Sequence, residues 1–288
     1  MNMRGIIFKG IGGFYYVKDA EENIIECKAR GKFRKEHIIP MIGDEVEVDV
    51  KNGRGSIIEI YPRRTRLTRP AVANIDIVVV VAAAKSPDPN TSLIDMMLVN
   101  AEINGIEAIV CINKSDLSDV TELERIYNSA GYKTVAVSAQ TGEGIDDLFK
   151  LIKGRIAAFA GVSGVGKSSL LTIITGSELE TGAVSEKISR GRHTTRHVEL
   201  FPVKGGGYVL DTPGFSSIEA DDVTLEDVQM CFPEIAAAAP GCRFRGCAHI
   251  GEPDCAVKAL VEQNKIAKSR YRSYVELYQL QKGKKTWK

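Results

Sequence analysis

Residues 161–168 read Gly161-Val-Ser-Gly-Val-Gly-Lys-Ser168, the spacing that is typical of a phosphate-binding loop. An apolar run at 156–160 precedes this loop and a helix-forming run at 169–174 follows it, so we expect a strand, the loop and a helix. Backbone N–H groups in such a loop surround an anion, and the helix N-terminus adds partial positive charge. The alternative is a glycine-rich turn without a ligand. The stretch predicts a nucleotide site but does not identify the nucleotide.

Two side chains of the loop are predicted to have specific roles. We expect Lys167 to reach the β- and γ-phosphates, as a catalytic group, and the hydroxyl of Ser168 to coordinate Mg²⁺. The residues expected to surround the nucleotide phosphates are Gly161, Val162, Ser163, Gly164, Val165, Gly166, Lys167, Ser168 and Ser169.

A second motif, Asn113-Lys-Ser-Asp116, follows the apolar run 108–112. The carboxylate of Asp116 can accept two hydrogen bonds from guanine, whereas adenine offers no matching pair of donors on that edge. We expect Asn113 to contact the base, Lys114 to cover its ring, and Ser115 to belong to the same GTP-binding motif. Ser138 and Ala139 are expected to offer a backbone amide to the guanine oxygen. A helix cap or turn is the alternative for the tetrapeptide alone; beside a phosphate loop, it predicts GTP.

The segment after the loop, from Gly176 to Thr195, is rich in Gly, Ser and Thr and is interpreted as a nucleotide switch. We expect Thr195, with Thr194 as the alternative, to complete the Mg²⁺ ligands and sense the γ-phosphate. The motif Asp211-Thr-Pro-Gly214 follows. Asp211 is expected to hold Mg²⁺ through water, and the Gly214 N–H to meet the γ-phosphate.

The residue that positions the attacking water is less evident. Phe215 follows Gly214, where many GTPases carry a glutamine, and an apolar side chain cannot orient water. We therefore hypothesise that His193 has this catalytic role, with a purely structural histidine as the alternative.

Composition sets the broad class of the protein. A length of 288 residues suggests two or three domains, and 44% hydrophobic with 26% charged residues is ordinary for a soluble protein. Neither a membrane-spanning run nor a secretory segment is evident, and six cysteines of which three cluster with a histidine do not suggest disulfides. We therefore expect a cytoplasmic protein that does not bind membranes. Lys and Arg outnumber Asp and Glu by 14 to 10 in residues 1–69 and by 9 to 2 from Ala256 onward, which suggests a polyanionic partner.

Residues 1–69 contain five short apolar runs separated by turn residues, which predict a small β-barrel of the oligonucleotide-binding (OB) fold. Basic residues crowd two places, either as an RNA-binding surface or as solvated charge: Lys28, Arg30, Lys32, Arg34, Lys35, Arg63, Arg64, Arg66 and Arg69. Phe14, Tyr15 and Phe33 would either stack on bases or fill the barrel core.

Residues 70–220 alternate continuous apolar strands with helices, which predicts an α/β domain with a mainly parallel sheet. The run 75–82 is apolar enough to be a buried strand. Residues 92–104 predict a helix in which Ser92 and Asp95 form a capping box. Ligands collect beyond the C-terminal ends of such strands, where both nucleotide motifs fall.

Residues 221–288 are predicted to form a zinc-binding helical domain. Cys242, Cys247, His249 and Cys255 make a Cys₃His set within fourteen residues, which is typical of a structural zinc site with one ion per chain. The spacing is not that of paired Cys-x-x-Cys motifs, so free thiols are the alternative. Helices are expected over 256–263 and 266–281, with Tyr271, Tyr274 and Tyr278 used for packing rather than base stacking.

The guanine motif precedes the phosphate loop, which is the order of a circularly permuted GTPase domain. In this order and in its motifs, almost the whole chain resembles the RsgA family of small-ribosomal-subunit-dependent GTPases. The family pattern departs at Asp95-Met96, where Asp-Arg is expected. The resemblance implies an N-terminal OB barrel, a C-terminal zinc domain, and a GTPase that acts late in maturation of the small ribosomal subunit.

The expected partners are the small subunit with its rRNA, and GTP or GDP, bound by a monomer. Hydrolysis is expected to be stimulated by the subunit, and loss of the γ-phosphate to reposition the C-terminal region. Two alternatives stay open at this level. One is an ATP-dependent phosphate-loop enzyme, and the other is an RNA-binding assembly factor in which hydrolysis is incidental.

Overall fold

A computed structural model describes residues 2–68, 70–176, 198–211 and 223–285. The strands are β1 (Asn2–Ile11), β2 (Phe14–Asp19), β3 (Ile24–Ala29), β4 (Glu45–Lys51), β5 (Arg54–Ile60), β6 (Arg66–Thr68), β7 (Ala71–Ala73), β8 (Ile77–Ala83), β9 (Glu107–Asn113), β10 (Lys133–Ala136), β11 (Ile156–Ala160), β12 (Phe201–Pro202) and β13 (Tyr208–Asp211). The helices are α1 (Gly31–Lys35), α2 (Thr91–Ile103), α3 (Thr121–Ser129), α4 (Ile145–Ile152), α5 (Lys167–Thr175), α6 (Pro233–Ala238), α7 (Ala256–Glu262) and α8 (Lys268–Lys285). Short 3-10 helices cover Val228–Cys231 and Ala239–Gly241.

The first five strands form a closed barrel in the order β1-β2-β3-β5-β4, which confirms the predicted N-terminal barrel. Strand β4 shows why this segment is a strand, because alternate valines face inward and the acidic residues between them face outward. Val46 and Val48 are fully buried in the barrel core. Phe33, from α1, lies in the same core, so it is a packing residue and does not offer its ring to a base.

Strands β8 to β13 make a six-stranded sheet in the order β10-β9-β8-β11-β13-β12. The pairs β10–β9 and β11–β13 are parallel, and β12 joins antiparallel to β13. Every residue of β8 is buried, as its continuous apolar sequence predicted. The predicted α/β fold with a mainly parallel sheet is thus confirmed.

The chain divides into two compact units. One comprises Met1–Ile77, Ile152–Phe159 and Ser168–Gly214, and the other comprises Val78–Leu151, Ala160–Lys167 and Phe215–Lys288. The second unit groups the phosphate loop and the guanine motif with the helical C-terminal region. The boundaries predicted at residues 69 and 220 stay predictions. Among the described helices, none is long and apolar enough to cross a membrane.

The predicted capping box of α2 is wrong. The helix begins one residue earlier, at Thr91, and Asn90 caps it by accepting a hydrogen bond from the Leu93 N–H at 3.2 Å. Asp95 is fully buried instead, where it accepts hydrogen bonds from Arg270 and Ser273 of α8. A buried carboxylate needs such partners, and they outweigh a helix-capping role.

One further expectation needs adjustment. Strand β12 is short, Phe201–Pro202, and Glu199 just before it forms an isolated bridge with Lys9. The last helix extends beyond the predicted residue 281 to Lys285, so most of the basic C-terminal segment is helical. Tyr271, Tyr274 and Tyr278 of this helix pack as predicted, since Tyr274 is buried and the other two lie against the same core cluster.

Candidate nucleotide site and metal centre

The phosphate loop lies between β11 and α5, in the strand–loop–helix arrangement that its sequence predicts. Close packing explains two of its glycines. A Cβ atom at Gly166 would lie 2.2 Å from Nδ2 of Asn113, and one at Gly161 would lie 2.5 Å from the Val81 carbonyl oxygen. Side chains at either position would therefore displace the loop or its neighbours.

The lysine of the loop folds back on the loop itself. Nζ of Lys167 donates hydrogen bonds to the carbonyl oxygens of Gly161 at 2.8 Å and Val162 at 3.4 Å. The ammonium group is therefore held at the centre of the loop, where an anion surrounded by the loop amides would meet it. Ser168 and Ser169 are exposed at the start of α5.

Asn113 connects the guanine motif to two other loops. It ends β9 and is 1% exposed. Its Nδ2 donates to the Val165 carbonyl oxygen at 2.8 Å, and its Oδ1 accepts from the Ala139 N–H at 3.1 Å. Both ends of the amide are therefore used within the protein, so the amide fixes the phosphate loop and the Ser138–Ala139 loop relative to each other.

Lys114 adds a second connection to the phosphate loop. Its backbone is left-handed, with a φ of 61°, which turns the chain sharply after the strand. Nζ donates to the Gly164 carbonyl oxygen at 2.8 Å and also to the Ser86 carbonyl oxygen. The aliphatic part of Lys114 therefore spans from the motif to the loop, as it would if it covered a flat ring.

Asp116 is the one acidic group of the motif and it is exposed. No partner for its carboxylate lies among the described residues, so both oxygens remain available to a ligand. Ser138 is buried, and its Oγ accepts from the Thr141 N–H at 3.1 Å, which shapes the adjoining loop. The arrangement offers a carboxylate next to a phosphate loop, which suits a guanine nucleotide.

The other predicted nucleotide contacts are only partly described. Asp211 ends β13, where it pairs in register with Phe159 of β11, the strand that leads into the phosphate loop. His193, Thr194, Thr195 and Gly214 lie outside the described residues. Their assigned roles stay predictions.

The four predicted metal ligands come together in the C-terminal region. The ligand atoms of Cys242, Cys247, His249 and Cys255 all lie within 4.8 Å of one another. The Sγ atoms of Cys242 and Cys255 are 3.8 Å apart, and each lies 3.4 Å from Nδ1 of His249. A tetrahedral ion with Zn–S bonds of about 2.3 Å separates its sulfur ligands by about 3.8 Å. The cluster therefore fits, and could hold, a tetrahedral metal ion.

The residues around the cluster favour the protonation state and the ring orientation of His249 that metal binding requires. Burial lowers the pKa of His249, which favours the neutral imidazole that a metal ion binds. Oε1 of Gln229 lies 3.0 Å from Nε2 of His249, so the amide fixes the ring with Nδ1 towards the thiols. Gln229 is twenty residues from His249, and no spacing in the sequence indicates this role.

Backbone contacts hold the loop that carries His249. The carboxylate of Glu252 accepts from the N–H groups of Ala248, Ile250 and Gly251, and these bonds lower the pKa of Glu252 to about 2. Hydroxyl groups from α8 hold the same loop, since Tyr271 donates to the His249 carbonyl oxygen at 2.6 Å and Tyr274 to that of Ala248 at 2.9 Å.

The basic segments of the barrel differ in how their charges are used. Arg63 forms a bidentate ion pair with the fully buried Asp44, at 2.7 and 2.8 Å, and Arg64 pairs with Asp76 and Glu45, so these two arginines have structural roles. The side chains of the other segment are all exposed: Lys28, Arg30, Lys32, Arg34 and Lys35. This second segment is the one that suits a polyanion.

Comparison with known proteins gives consistent matches. The family model described as RsgA GTPase matches residues 60–221, and the RsgA N-terminal domain matches residues 4–58. A relative named small ribosomal subunit biogenesis GTPase RsgA, from Caldanaerobacter subterraneus subsp. tengcongensis, is 50% identical over 280 residues, covering 96% of this chain and 94% of the relative. One of the same name from Agathobacter rectalis is 44% identical, covering 99% of this chain and 100% of the relative.

Solved structures show the same likeness. YjeQ from Thermotoga maritima superimposes with a TM-score of 0.84 at 40% identity, covering 98% of this chain and 99% of YjeQ. YloQ, a structure described as a circularly permuted GTPase, gives a TM-score of 0.83 at 37% identity, covering 99% of this chain and 96% of YloQ. The motifs, the fold and these full-length matches agree, and this chain belongs to the RsgA family of circularly permuted GTPases, which hydrolyse GTP.

Proposed function

We propose that this GTPase binds the small ribosomal subunit and acts in its late maturation. The switch between its GTP-bound and GDP-bound states would control binding and release. The observation that carries the proposal is the joining of Asn113 and Lys114 to the phosphate loop beside the exposed carboxylate of Asp116. This geometry supports guanine nucleotide binding. The full-length relatives named for small-subunit biogenesis support the partner.

Each nucleotide contact follows from the chemistry of the side chain. Asp116 accepts from guanine N1–H and the exocyclic amine, and Lys114 lies along the ring. Lys167 offsets negative charge on the β- and γ-phosphates. Ser168, Thr195 and, through water, Asp211 would hold Mg²⁺, which supplies charge neutralisation at the phosphates when bound. Gly214 would meet the γ-phosphate, and His193 would orient the attacking water.

The metal centre has a structural role in this proposal. Cys242, Cys247, His249 and Cys255 would hold one Zn²⁺ per chain, and because all four ligands come from the protein, no position is left for a reacting molecule. The exposed basic segment of the barrel supports contact with rRNA. A partner of this kind is a cytoplasmic particle, so we propose that the protein acts in the cytoplasm, as a monomer.

The experiment that tests the proposal is GTP turnover measured with and without purified small ribosomal subunits. We expect slow turnover alone and a stimulation by small subunits that falls as salt increases. Large ribosomal subunits are the control, and should not stimulate. Absence of stimulation at low salt would contradict the ribosomal assignment.

A second measurement separates the nucleotide switch from hydrolysis that is incidental to assembly. The Lys167→Ala variant should lose nucleotide affinity and should fail to support subunit maturation in cells that lack the native protein. Full complementation by this variant would show that nucleotide binding is dispensable.

A further inference from the structure

A cavity of about 320 Å³ opens at the Cys₃His cluster, and Cys242, Cys247 and His249 are among its lining residues. Ala236, Ala239 and Pro240 line it on one side, and Phe244, Arg245 and Gly246 of the loop that joins Cys242 to Cys247 line it on another. The four metal ligands lie within 4.8 Å of one another, so an ion among them occupies only a small part of this volume. The cavity is therefore at the lower end of the size range of small-ligand sites.

An aromatic ring lines this cavity from the exposed side. Phe244 is 45% exposed, although a phenylalanine is normally buried. It lies on the short loop whose two ends are Cys242 and Cys247, so a metal ion would anchor the loop on both sides. The guanidinium of Arg243 lies 5.5 Å from the ring centroid and further restricts it. The structure thus presents one restrained ring face to solvent.

Two polar groups lie on the walls of the same cavity. Arg245 is exposed and has no ion-pair partner among the described residues, whereas its neighbour Arg243 pairs with Asp254 at 2.7 Å. Gln229 uses Oε1 for His249, and its amide nitrogen has no partner within the described part of the chain. Judged on the residues that the structure describes, the cavity therefore combines an aromatic face, an unpaired cation and an unused N–H donor.

We propose that this cavity binds an unpaired nucleotide of RNA. The base stacks on Phe244, its phosphate meets Arg245, and a base oxygen or ring nitrogen accepts a hydrogen bond from Gln229. An acidic peptide would use Arg245 but would leave the ring face unused, so the three groups together favour a nucleotide. This inference rests on the proposed function, because the RNA of the small subunit is then the partner.

The first experiment measures the affinity of full-length variants for purified small ribosomal subunits. Phe244→Ala should bind about tenfold more weakly, and Phe244→Tyr should bind as the native protein does, because a tyrosine ring also stacks. Arg245→Ala should weaken binding. It should also make the slope of log affinity against log salt concentration shallower, by the amount expected for the loss of about one phosphate contact.

Matched controls test the position of these groups rather than their type. Arg272→Ala removes an equal charge from an exposed position of α8, and Leu280→Ala removes a comparably exposed apolar side chain from the same helix. Neither residue lines the cavity, and both variants should bind within twofold of the native affinity. Metal content and basal GTP turnover should be unchanged in all five variants, which excludes unfolding of the region.

The second experiment identifies what occupies the cavity. A Phe244→p-benzoylphenylalanine protein is irradiated with small subunits, and the crosslink should form to rRNA. An excess of the four nucleoside monophosphates should leave this crosslink in place, because a free nucleotide lacks the remaining RNA contacts.

The proposal is overturned by any of three results. These are Phe244→Ala binding as well as Leu280→Ala, crosslinks to ribosomal protein alone, and loss of the crosslink with free monophosphates. If the native protein does not bind small subunits, the proposed function fails. The same variants are then compared on a short labelled single-stranded RNA, so the two failures remain distinguishable.

Discussion

At the scale of single residues, Asn113 shows that a motif associated with base recognition also holds the site together. Its side-chain amide connects the phosphate loop, through Val165, to the loop at Ala139. Gly166 packs so closely against it that no other residue fits there without displacement. Neither contact involves a γ-phosphate. The amide should therefore support GTP and GDP binding equally.

This reasoning predicts the effect of Asn113→Ala. Two buried hydrogen bonds of about 1–1.5 kcal/mol each are lost, so affinity should fall by roughly 30- to 150-fold for both nucleotides. Titration with fluorescent GTP and GDP analogues measures it. The control is Ser163→Ala. This loop position is exposed, and the substitution leaves its backbone N–H group in place. A loss confined to GTP would contradict a purely architectural role for the amide.

At the scale of elements, helix α8 connects helix α2 to the loop that carries His249 of the Cys₃His cluster. Arg270 is fully buried and donates to Asp95 of α2 at 2.9 Å and to Glu234 of α6 at 2.8 and 3.2 Å. Its guanidinium also lies 4.7 Å from the Phe232 ring centroid. Burial alone would lower the pKa of Arg270, but the carboxylates of Asp95 and Glu234 more than reverse this, so the pKa is raised. The group remains charged at any pH at which the protein is folded.

Removal of this arginine should be strongly destabilising. Arg270→Met leaves two buried carboxylates without their cation, and the expected loss is about 3–5 kcal/mol in the free energy of unfolding. Urea unfolding at pH 7 measures it. Arg272→Met, two residues along the same helix and exposed, is the matched control and should change stability by less than about 0.5 kcal/mol. Equal stability of the two variants would show that the buried ion pairs contribute nothing.

A second prediction at the scale of elements is that the Cys₃His cluster holds a structural metal ion. Cys247→Ala removes one of four ligands, so the variant should lose metal and unfold at a lower temperature. A chelator should lower the unfolding temperature of the native protein but not that of the variant. Cys231→Ala is the control, because Cys231 is buried nearby yet lies outside the Cys₃His set, and it should retain about one ion per chain. Metal-free protein with native stability would exclude a structural metal.

At the scale of the whole molecule, the contacts of α8 change the expected mechanism of the switch. Its hydroxyls hold the loop of His249, while Arg270 and Ser273 of the same helix hold Asp95 of α2. Residues 78–151 and 215–288 accordingly belong to one compact unit. The metal centre should therefore move together with α2 and the guanine motif. This differs from the expectation from the sequence, in which the C-terminal region is repositioned when the γ-phosphate is lost.

Distance measurements test this prediction. Spin labels on Leu93 of α2 and Glu262 of α7, both exposed, should report the same distance distribution with a non-hydrolysable GTP analogue and with GDP. A change of more than about 2 Å between the two states would show that the metal centre moves relative to α2. Arg270→Met provides the comparison, because loss of the buried ion pairs should broaden the distribution.

The sequence by itself determined the barrel, the parallel sheet, the nucleotide-binding motifs and the four residues of the Cys₃His cluster. These features depend on residues that are near one another in the chain, such as the alternation in β4 or the glycine spacing of the phosphate loop. The tertiary structure alone decided which charges are structural. Asp95 pairs with an arginine 175 residues away, Arg63 with a buried aspartate, and Gln229 with His249 of the Cys₃His cluster. Pairings of this kind leave no local pattern, because they form only where the fold excludes water and a buried charge or donor requires a partner.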